Sequence, residues 1–243
     1  MRIRMAGATD VGRKRKANQD SIFFDEALGL GVVADGIGGR KGGEIASSIA
    51  VDSMKKVFRT AETIRHGEVN GFLVTAIDTV NSEILTRGRL EPEIAGMGTT
   101  LNCLVFVGDR LHLAHVGDSR TYLYQDGQLF QLTIDHNVAT FAARGWLRSD
   151  QVMPGAKDEA LVKALGLGPN CEADIYEAQV TPGQIFLTCS DGLSGMVSDS
   201  EIAAIIRKNH TRVDQLPSLL IAAANAGGGR DNITVLVSEI KEK

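Results

Sequence analysis

Apolar and polar residues alternate in short runs along most of this chain, and in two windows the pattern switches to a helical period. Residues 3–9 alternate, 21–24 form a brief apolar run, and 28–34 stay apolar up to Asp35-Gly36. Alternation, or a short apolar run bounded by turn residues, predicts a strand. Over 44–59 the apolar positions Ala46, Ile49, Ala50, Met54 and Val57 keep to one face. Over 68–85 the stripe is Val69, Phe72, Leu73, Ala76, Ile77, Val80 and Ile84. Both spacings predict amphipathic helices.

A block of strands follows. Residues 100–107 and 111–116 flank Gly108-Asp109, and 121–124 and 129–132 flank Asp126-Gly127. Both are hairpin signals, and the second suits a type I′ turn because glycine tolerates positive φ. Residues 136–170 are mixed and glycine-bearing, and are expected to form a helical, partly mobile insertion. Strands at 175–180 and 185–188, helices at 202–206 and 216–224, and a strand at 233–237 complete the order. Consecutive hairpins imply antiparallel sheets, and helices grouped in pairs cover sheet faces. The expected class is α+β: a four-layer α/β/β/α sandwich of two stacked sheets with a helix pair on each outer face. No repeat or Pro/Ser-rich linker interrupts residues 1–243, so a single domain is expected.

Composition narrows the options. The 26 Lys and Arg against 30 Asp and Glu leave a formal charge of −4, which gives no general drive toward nucleic acid. No apolar stretch reaches the roughly 18 residues that span a bilayer. The first residues lack the apolar core and cleavage site of a secretory signal. No membrane is therefore implied, and the chain is expected in the cytoplasm. Cys103, Cys171 and Cys189 are odd in number and form no C-x-x-C. Cys103 and Cys189 lie in apolar runs and read as buried thiols.

The carboxylates carry the chemical signal. Two apolar strands end in Asp-Gly, at Asp35-Gly36 and Asp191-Gly192. A carboxylate at the end of a buried strand is costly unless something positive meets it. The glycine after it lets the backbone turn sharply and bring its carbonyl up to an ion. Asp118 and Asp231 stand in similar settings beside apolar runs, and Asp20 lies in Asn18-Gln-Asp-Ser. Several oxygen ligands without a His/Cys cluster favour Mg²⁺ or Mn²⁺. Two such ions bridged by a carboxylate can activate water and polarise a phosphoryl group. Each Asp taken singly also suits a turn or a helix N-cap.

The ordered set Thr9-Asp-Val-Gly, Arg15-Lys-Ala-Asn-Gln-Asp20, Ala34-Asp-Gly-Ile-Gly-Gly39, Gly42-Gly-Glu44, Gly98-Thr-Thr100, His115-Val-Gly-Asp-Ser-Arg120, Asp135-His136, Ser190-Asp-Gly-Leu193 and Gly229-Arg-Asp-Asn-Ile-Thr234 resembles the type-2C, metal-dependent serine/threonine protein phosphatases. The match runs from about residue 8 to 237, and the Asp-Gly-x-Gly-Gly form is similar to the bacterial branch. The resemblance implies direct hydrolysis of phosphoserine and phosphothreonine by a hydroxide shared between two Mn²⁺ or Mg²⁺ ions. It implies that Asp35 bridges the ions, the Gly36 carbonyl ligates the second, and Asp191 and Asp231 hold the first. Asp118, with Asp191, matches a third, weaker metal site. Arg15 matches the phosphate-gripping arginine, and Asp20 an acid in the metal's water shell. Asn232 would orient Asp231 or a metal-bound water. The implied partners are phosphorylated proteins, a Ser/Thr kinase and its substrates, and the chain is expected to be a monomer.

Two positions depart from the family pattern. Gln19 stands where Glu is frequent, so it can hold a metal-bound water but adds no charge. Ile37 stands where animal members carry a histidine proposed as general acid, which leaves His136 as a candidate donor against a structural role. Residues 137–170 match the family's flap, whose Trp146 and Met153 either touch substrate or pack within the flap. The run Arg13-Lys-Arg-Lys16 suggests a cationic rim favouring acidic phosphopeptides. The loop Gly38-Gly-Arg-Lys-Gly-Gly43 lacks the G-x-x-x-x-G-K-[ST] spacing of a nucleotide loop. Two other functions compete: a phosphoprotein-binding module with lost catalysis, and a metal-dependent phosphodiesterase or small-molecule phosphatase.

Overall fold

The computed structural model describes residues 1–37, 42–60, 66–148, 150, 152 and 155–242. Gly38, Gly39 and the start of the glycine-rich loop lie outside them, as does Met153. One sheet runs in the order β1 (Arg2–Asp10), β10 (Ile233–Lys241), β9 (Ile185–Cys189), β6 (Arg120–Gln125), β7 (Gln128–Gln131). The other runs β2 (Asp20–Asp25), β3 (Leu30–Asp35), β4 (Leu101–Val107), β5 (Arg110–Val116), β8 (Asp174–Gln179). Every pairing in both sheets is antiparallel.

The period-two geometry of a strand explains why β4 reads as unbroken apolar sequence. Leu101, Cys103 and Val105 face the helices of their sheet, while Leu104 and Phe106 face the other sheet. Phe106 meets Phe186 of β9 edge-on at 5.7 Å, and Met5, Leu111, Leu113 and Ile240 fill the same inter-sheet layer. Helices α1 (Gly43–Thr60) and α2 (Val69–Leu90) cover the β2–β8 sheet, with Ala46, Ala50, Met54, Leu73, Ile77, Val80 and Ile84 turned inward. Helices α5 (Asp199–Asn209) and α6 (Leu216–Ala226) cover the other sheet through Ile202, Ile206, Leu216 and Leu220. The layers are therefore α/β/β/α.

Local chemistry sets the turns and ends. Asp126 and Gly127 have φ of 51° and 80°, the type I′ geometry that the Asp-Gly pair predicts. Ser198 and Glu201 form a reciprocal capping box at the start of α5. Strand β10 runs past its apolar stretch because it pairs with β1 as far as Arg2↔Lys241. Helix α2 continues through polar residues to Leu90, where Arg87 pairs with Glu91 at 2.8 Å.

The expectation of a helical insertion at 136–170 is corrected. Its described part holds one short helix, α3 (Val138–Ala143), capped by Asn137 Oδ1 accepting from the Thr140 N–H at 2.9 Å. Glycines 145, 155 and 166 have positive φ and break any longer helical run. Short bridges, Asn137↔Leu161 and Thr99↔Leu165, tie the segment down instead. All three cysteines are buried and free. Among the described residues no helix is long and apolar enough to cross a membrane.

Candidate metal centre

The two sheets bring their acidic strand ends to one cleft of about 880 Å³. Asp35 ends β3, and Asp118 follows β5 in the same sheet. Asp191 follows β9 and Asp231 precedes β10 in the other. These four, together with Arg15, Gln19 and Gly36, line the cleft. Asp20 is buried, at the start of β2 and directly opposite Asp35 in the ladder.

The backbone around each acid is fixed. The Asp35 N–H donates to Thr100 Oγ1 at 2.9 Å, and its carbonyl accepts from the Thr100 N–H and from Thr99 Oγ1, each at 2.9 Å. At Gly36 a β-carbon would stand 2.2 Å from the Gly43 carbonyl oxygen, so only glycine lets the start of α1 approach this closely. At Gly192 a β-carbon would stand 1.9 Å from the Asn232 carbonyl oxygen. That glycine is what brings Asp191 up against the Asp231-Asn232 segment. Asp191 also begins α4 (Asp191–Ser194), a single helical turn.

The electrostatics call for positive charge. Burial, and then the charges of Asp20, Asp191, Asp118 and Asp231, push Asp35 well above the usual carboxylate range. Burial first, then Asp191 and Asp135, push Asp118 up to about 7. Asp20 is pushed up to about 6, by burial above all, with the Thr234 and Ser190 hydrogen bonds holding it down. Asp191 is raised by burial and by Asp231. Ser190 Oγ donates to Asp20 Oδ2 at 2.8 Å, but Asp20 Oδ1 and Asp191 Oδ1 are buried with no hydrogen-bond partner. Orphaned oxygens among mutually repelling carboxylates fit hard divalent cations. No three His, Cys, Asp or Glu side chains among the described residues close on a single point. The four carboxylates line one cleft, which suits ions that keep part of their water shell.

The protein phosphatase 2C profile matches residues 12–218. The chain belongs to the protein phosphatase 2C family. It is 34% identical over 236 residues to the serine/threonine phosphatase stp of Listeria monocytogenes, covering 95% of this chain and 93% of that protein. Its fold superposes on the crystal structure of the Mycobacterium tuberculosis serine/threonine phosphatase PstP/Ppp with a TM-score of 0.87, at 32% identity and full coverage of both chains. The catalytic domain of PstP in complex with two manganese ions gives a TM-score of 0.86 at 33% identity, with 99% of each chain covered.

Within this phosphatase 2C fold, Arg15 Nη2 donates to Asp231 Oδ2 at 2.6 Å, and the Asn232 N–H donates to Asp231 Oδ1 at 2.8 Å. The Asn232 side chain makes its bonds to the N-terminal segment. Its amide donates to the carbonyls of Val11 and Ala17, at 2.9 and 3.0 Å, and its oxygen accepts from the Gln19 N–H at 2.9 Å. It clamps the segment that carries Arg15, while its main chain steadies Asp231. Gln19 donates through Nε2 to Glu44 Oε2 at 3.0 Å. Glu44, in the first turn of α1, therefore supplies beside the cleft the negative charge that position 19 lacks. In the sequence Glu44 stands out only as the last residue of Gly42-Gly-Glu44.

His136 does not line the cleft. It is buried; its Nδ1 accepts from the Gly117 N–H at 3.1 Å, and its Nε2 donates to Asp174 Oδ2 at 3.1 Å. Burial also lowers its affinity for protons. It holds the Gly117-Asp118 turn, as the structural role would have it. Asp135 is spent on a bidentate pair with Arg120. Trp146 packs edge-on against Phe141 at 5.4 Å under Arg144, away from the cleft lining. The expected cationic rim is also relocated. Of the run Arg13–Lys16, Arg15 alone lines the cleft, and among the described residues the other cations lining it are Lys157 and Arg230, with Glu159 also in the lining. Lys157 is not visible in the sequence as a site residue, because only folding brings it to the cleft, while Arg230 stands in the motif around Asp231 without a role of its own.

Proposed function

We propose that this chain is a metal-dependent serine/threonine protein phosphatase that holds two Mn²⁺ or Mg²⁺ ions on the carboxylates of its cleft. The observation that carries the reading is the convergence of Asp35, Asp118, Asp191 and Asp231 from two sheets on one open cleft, with Arg15 beside them. Asp35, which feels every other acid of the cluster, would hold both ions. The Gly36 carbonyl serves the second ion, and Asp191 and Asp231 serve the first. Asp118 with Asp191 offers a third, weaker site. Bound there, the ions supply water activation and charge neutralisation for hydrolysis in line at phosphorus.

The remaining work falls to this chain's own side chains. Arg15 leaves Asp231 and turns its planar fork onto two oxygens of the phosphate. Thr99 and Thr100 hold the Asp35 backbone so that its carboxylate does not follow the substrate. Asp20, opposite Asp35 in the β2–β3 ladder, would orient water in the shell of a bound metal. Ile37 excludes bulk water from its side of the cleft and cannot protonate the leaving serine or threonine oxygen.

Residues 1–243 form one catalytic domain with the flap at about 136–170. The partners are phosphorylated proteins in the cytoplasm, among them the targets of a Ser/Thr kinase, and the chain acts as a monomer. Phosphate release from a phosphothreonine peptide, measured with Mn²⁺, Mg²⁺ or EDTA, tests the reading. Release that needs metal and collapses in Asp191→Asn supports it. A folded wild type that binds phosphopeptide and releases no phosphate with any metal would make the chain a phosphoprotein-binding module.

A further inference from the structure

Part of the cleft wall is apolar, and one residue of it is held with unusual care. Asn81 of α2 is 2% exposed. Its Oδ1 accepts from the Gly166 N–H at 2.7 Å and its Nδ2 donates to the Gly168 carbonyl at 2.9 Å. These bonds bracket Leu167 on both sides. Two further main-chain bonds between Leu165 and Thr99, at 2.9 and 3.0 Å, tie the segment to the residue before Thr100. Yet the side chain presented by this scaffold is 51% exposed. A buried amide is costly to leave unmatched and is ordinarily spent on ordering something. Here it orders an exposed leucine.

Leu167 does not stand alone. A β-carbon placed on Gly98 would lie 3.0 Å from Ile37 Cδ1 and 3.2 Å from Leu167 Cδ2. Both side chains therefore lean over the bare glycine and make one ridge, and both line the metal cleft. Leu167 also lines an adjoining cavity of about 340 Å³, together with Val162, which is 38% exposed. Single exposed apolar residues are ordinary. A contiguous set running from a reaction cleft into a second cavity marks a binding surface. The cleft is larger than one phosphorylated side chain needs, so the residues flanking the phosphate must run along its walls.

We propose that Leu167, with Ile37 and Val162, forms a specificity subsite for an apolar side chain of the phosphoprotein, close in sequence to the phosphorylated residue. The proposal rests on the phosphatase reading above. It assigns to Ile37 a role in substrate selection in place of proton transfer, and to Asn81 the role of positioning residue for Leu167.

The test is a set of phosphothreonine peptides of otherwise small polar sequence, in which a single leucine is walked through the flanking positions. Turnover is measured with Mn²⁺. Burying a leucine against a half-open wall should raise kcat/KM about tenfold at one or two neighbouring positions. The gain should lie in KM. Leu167→Ser and Val162→Ser should abolish the gain, Leu167→Met should keep it, and Asn81→Ala should weaken it. Thermal melts confirm that each variant is folded. Equal turnover of all the peptides by the wild type, or a leucine gain that survives Leu167→Ser, overturns the subsite. No turnover of any phosphopeptide overturns the phosphatase reading itself, and a zero rate on every peptide is distinct from an equal, nonzero one.

Discussion

Asp20 and Asp35 face each other directly across the β2–β3 ladder, with Asp35 lining the metal cleft and Asp20 buried. Like charges in register on neighbouring strands repel, and Asp191 adds a third charge to the field of both. In the metal-free protein the strain is relieved by protons. Asp118, raised from 3.8 to about 7, contributes stability that is full below 3.8 and lost as pH rises through 7. Asp35, raised further, acts in the same direction. His115 works the other way: burial lowers it from 6.5 to about 4, so its contribution is present above 6.5 and lost as pH falls. The carboxylates therefore dominate between about pH 8 and 6.5. The melting temperature of EDTA-treated protein should rise over that descent, and Mn²⁺ should raise it most at the alkaline end. A metal-free protein that melts higher at the alkaline end would contradict the cluster's electrostatics.

Arg15 rests on Asp231, a proposed metal ligand, through a 2.6 Å bond. It must therefore exchange one anion for another when substrate arrives. Arg15→Ala should lower kcat/KM by about a hundredfold, the scale for losing one preorganised charged donor to a transferring group. Inorganic phosphate should inhibit this variant more weakly. Mn²⁺ affinity, read by calorimetry, should hold or rise because a competing cation has gone. Arg15→Lys should recover little, since a point charge cannot reproduce the two-pronged fork. A matching loss of Mn²⁺ affinity would place Arg15 among the groups that build the metal site.

Much of this arrangement was legible in the sequence, for a physical reason. The Asp-Gly strand ends, the hairpin at Asp126-Gly127 and the helical stripes of α1 and α2 are local patterns, and local sterics enforce them. What was hidden depended on distant contacts. Asn232 reads as a neighbour of Asp231, but its amide spans to Val11, Ala17 and Gln19. His136 follows an Asp, as a catalytic residue could, yet folding buries it against Gly117 and Asp174. The flap's glycines kept its path out of any periodic pattern, so the placing of Lys157 and Leu167 at the cleft could not be read in advance.

The Asn232 clamp makes a separable prediction. Its three side-chain bonds join the β10 end to the Arg15 segment, and the residue is 3% exposed. Asn232→Ala should cost about 2–3 kcal/mol in denaturant unfolding, the scale for stranding buried polar partners. At temperatures where the variant stays folded, KM for phosphopeptide should rise more than the Mn²⁺ dissociation constant, because the loosened segment carries Arg15 rather than a metal ligand. Losses of equal size in both would mean that Asn232 acts chiefly through Asp231.

The charge of the cleft rim makes the last prediction. Arg13 is turned to another cavity, beside Asp10 and α6, so it does not meet substrate. Arg230 and Lys157 line the cleft instead, and Glu159 partly offsets them. A phosphopeptide with an acidic neighbour should be turned over faster than its amide counterpart. Arg230→Gln or Lys157→Gln should shrink that preference about two- to fivefold, the range for an exposed ion pair. Glu159→Gln should enlarge it, while Arg13→Gln should leave it as it is. Salt should erase the preference, since exposed pairs are screened within about 10 Å at 0.1 M ionic strength. If Arg13→Gln removes the preference and Arg230→Gln does not, substrate approaches along the N-terminal segment and not between the flap and the Arg230 turn.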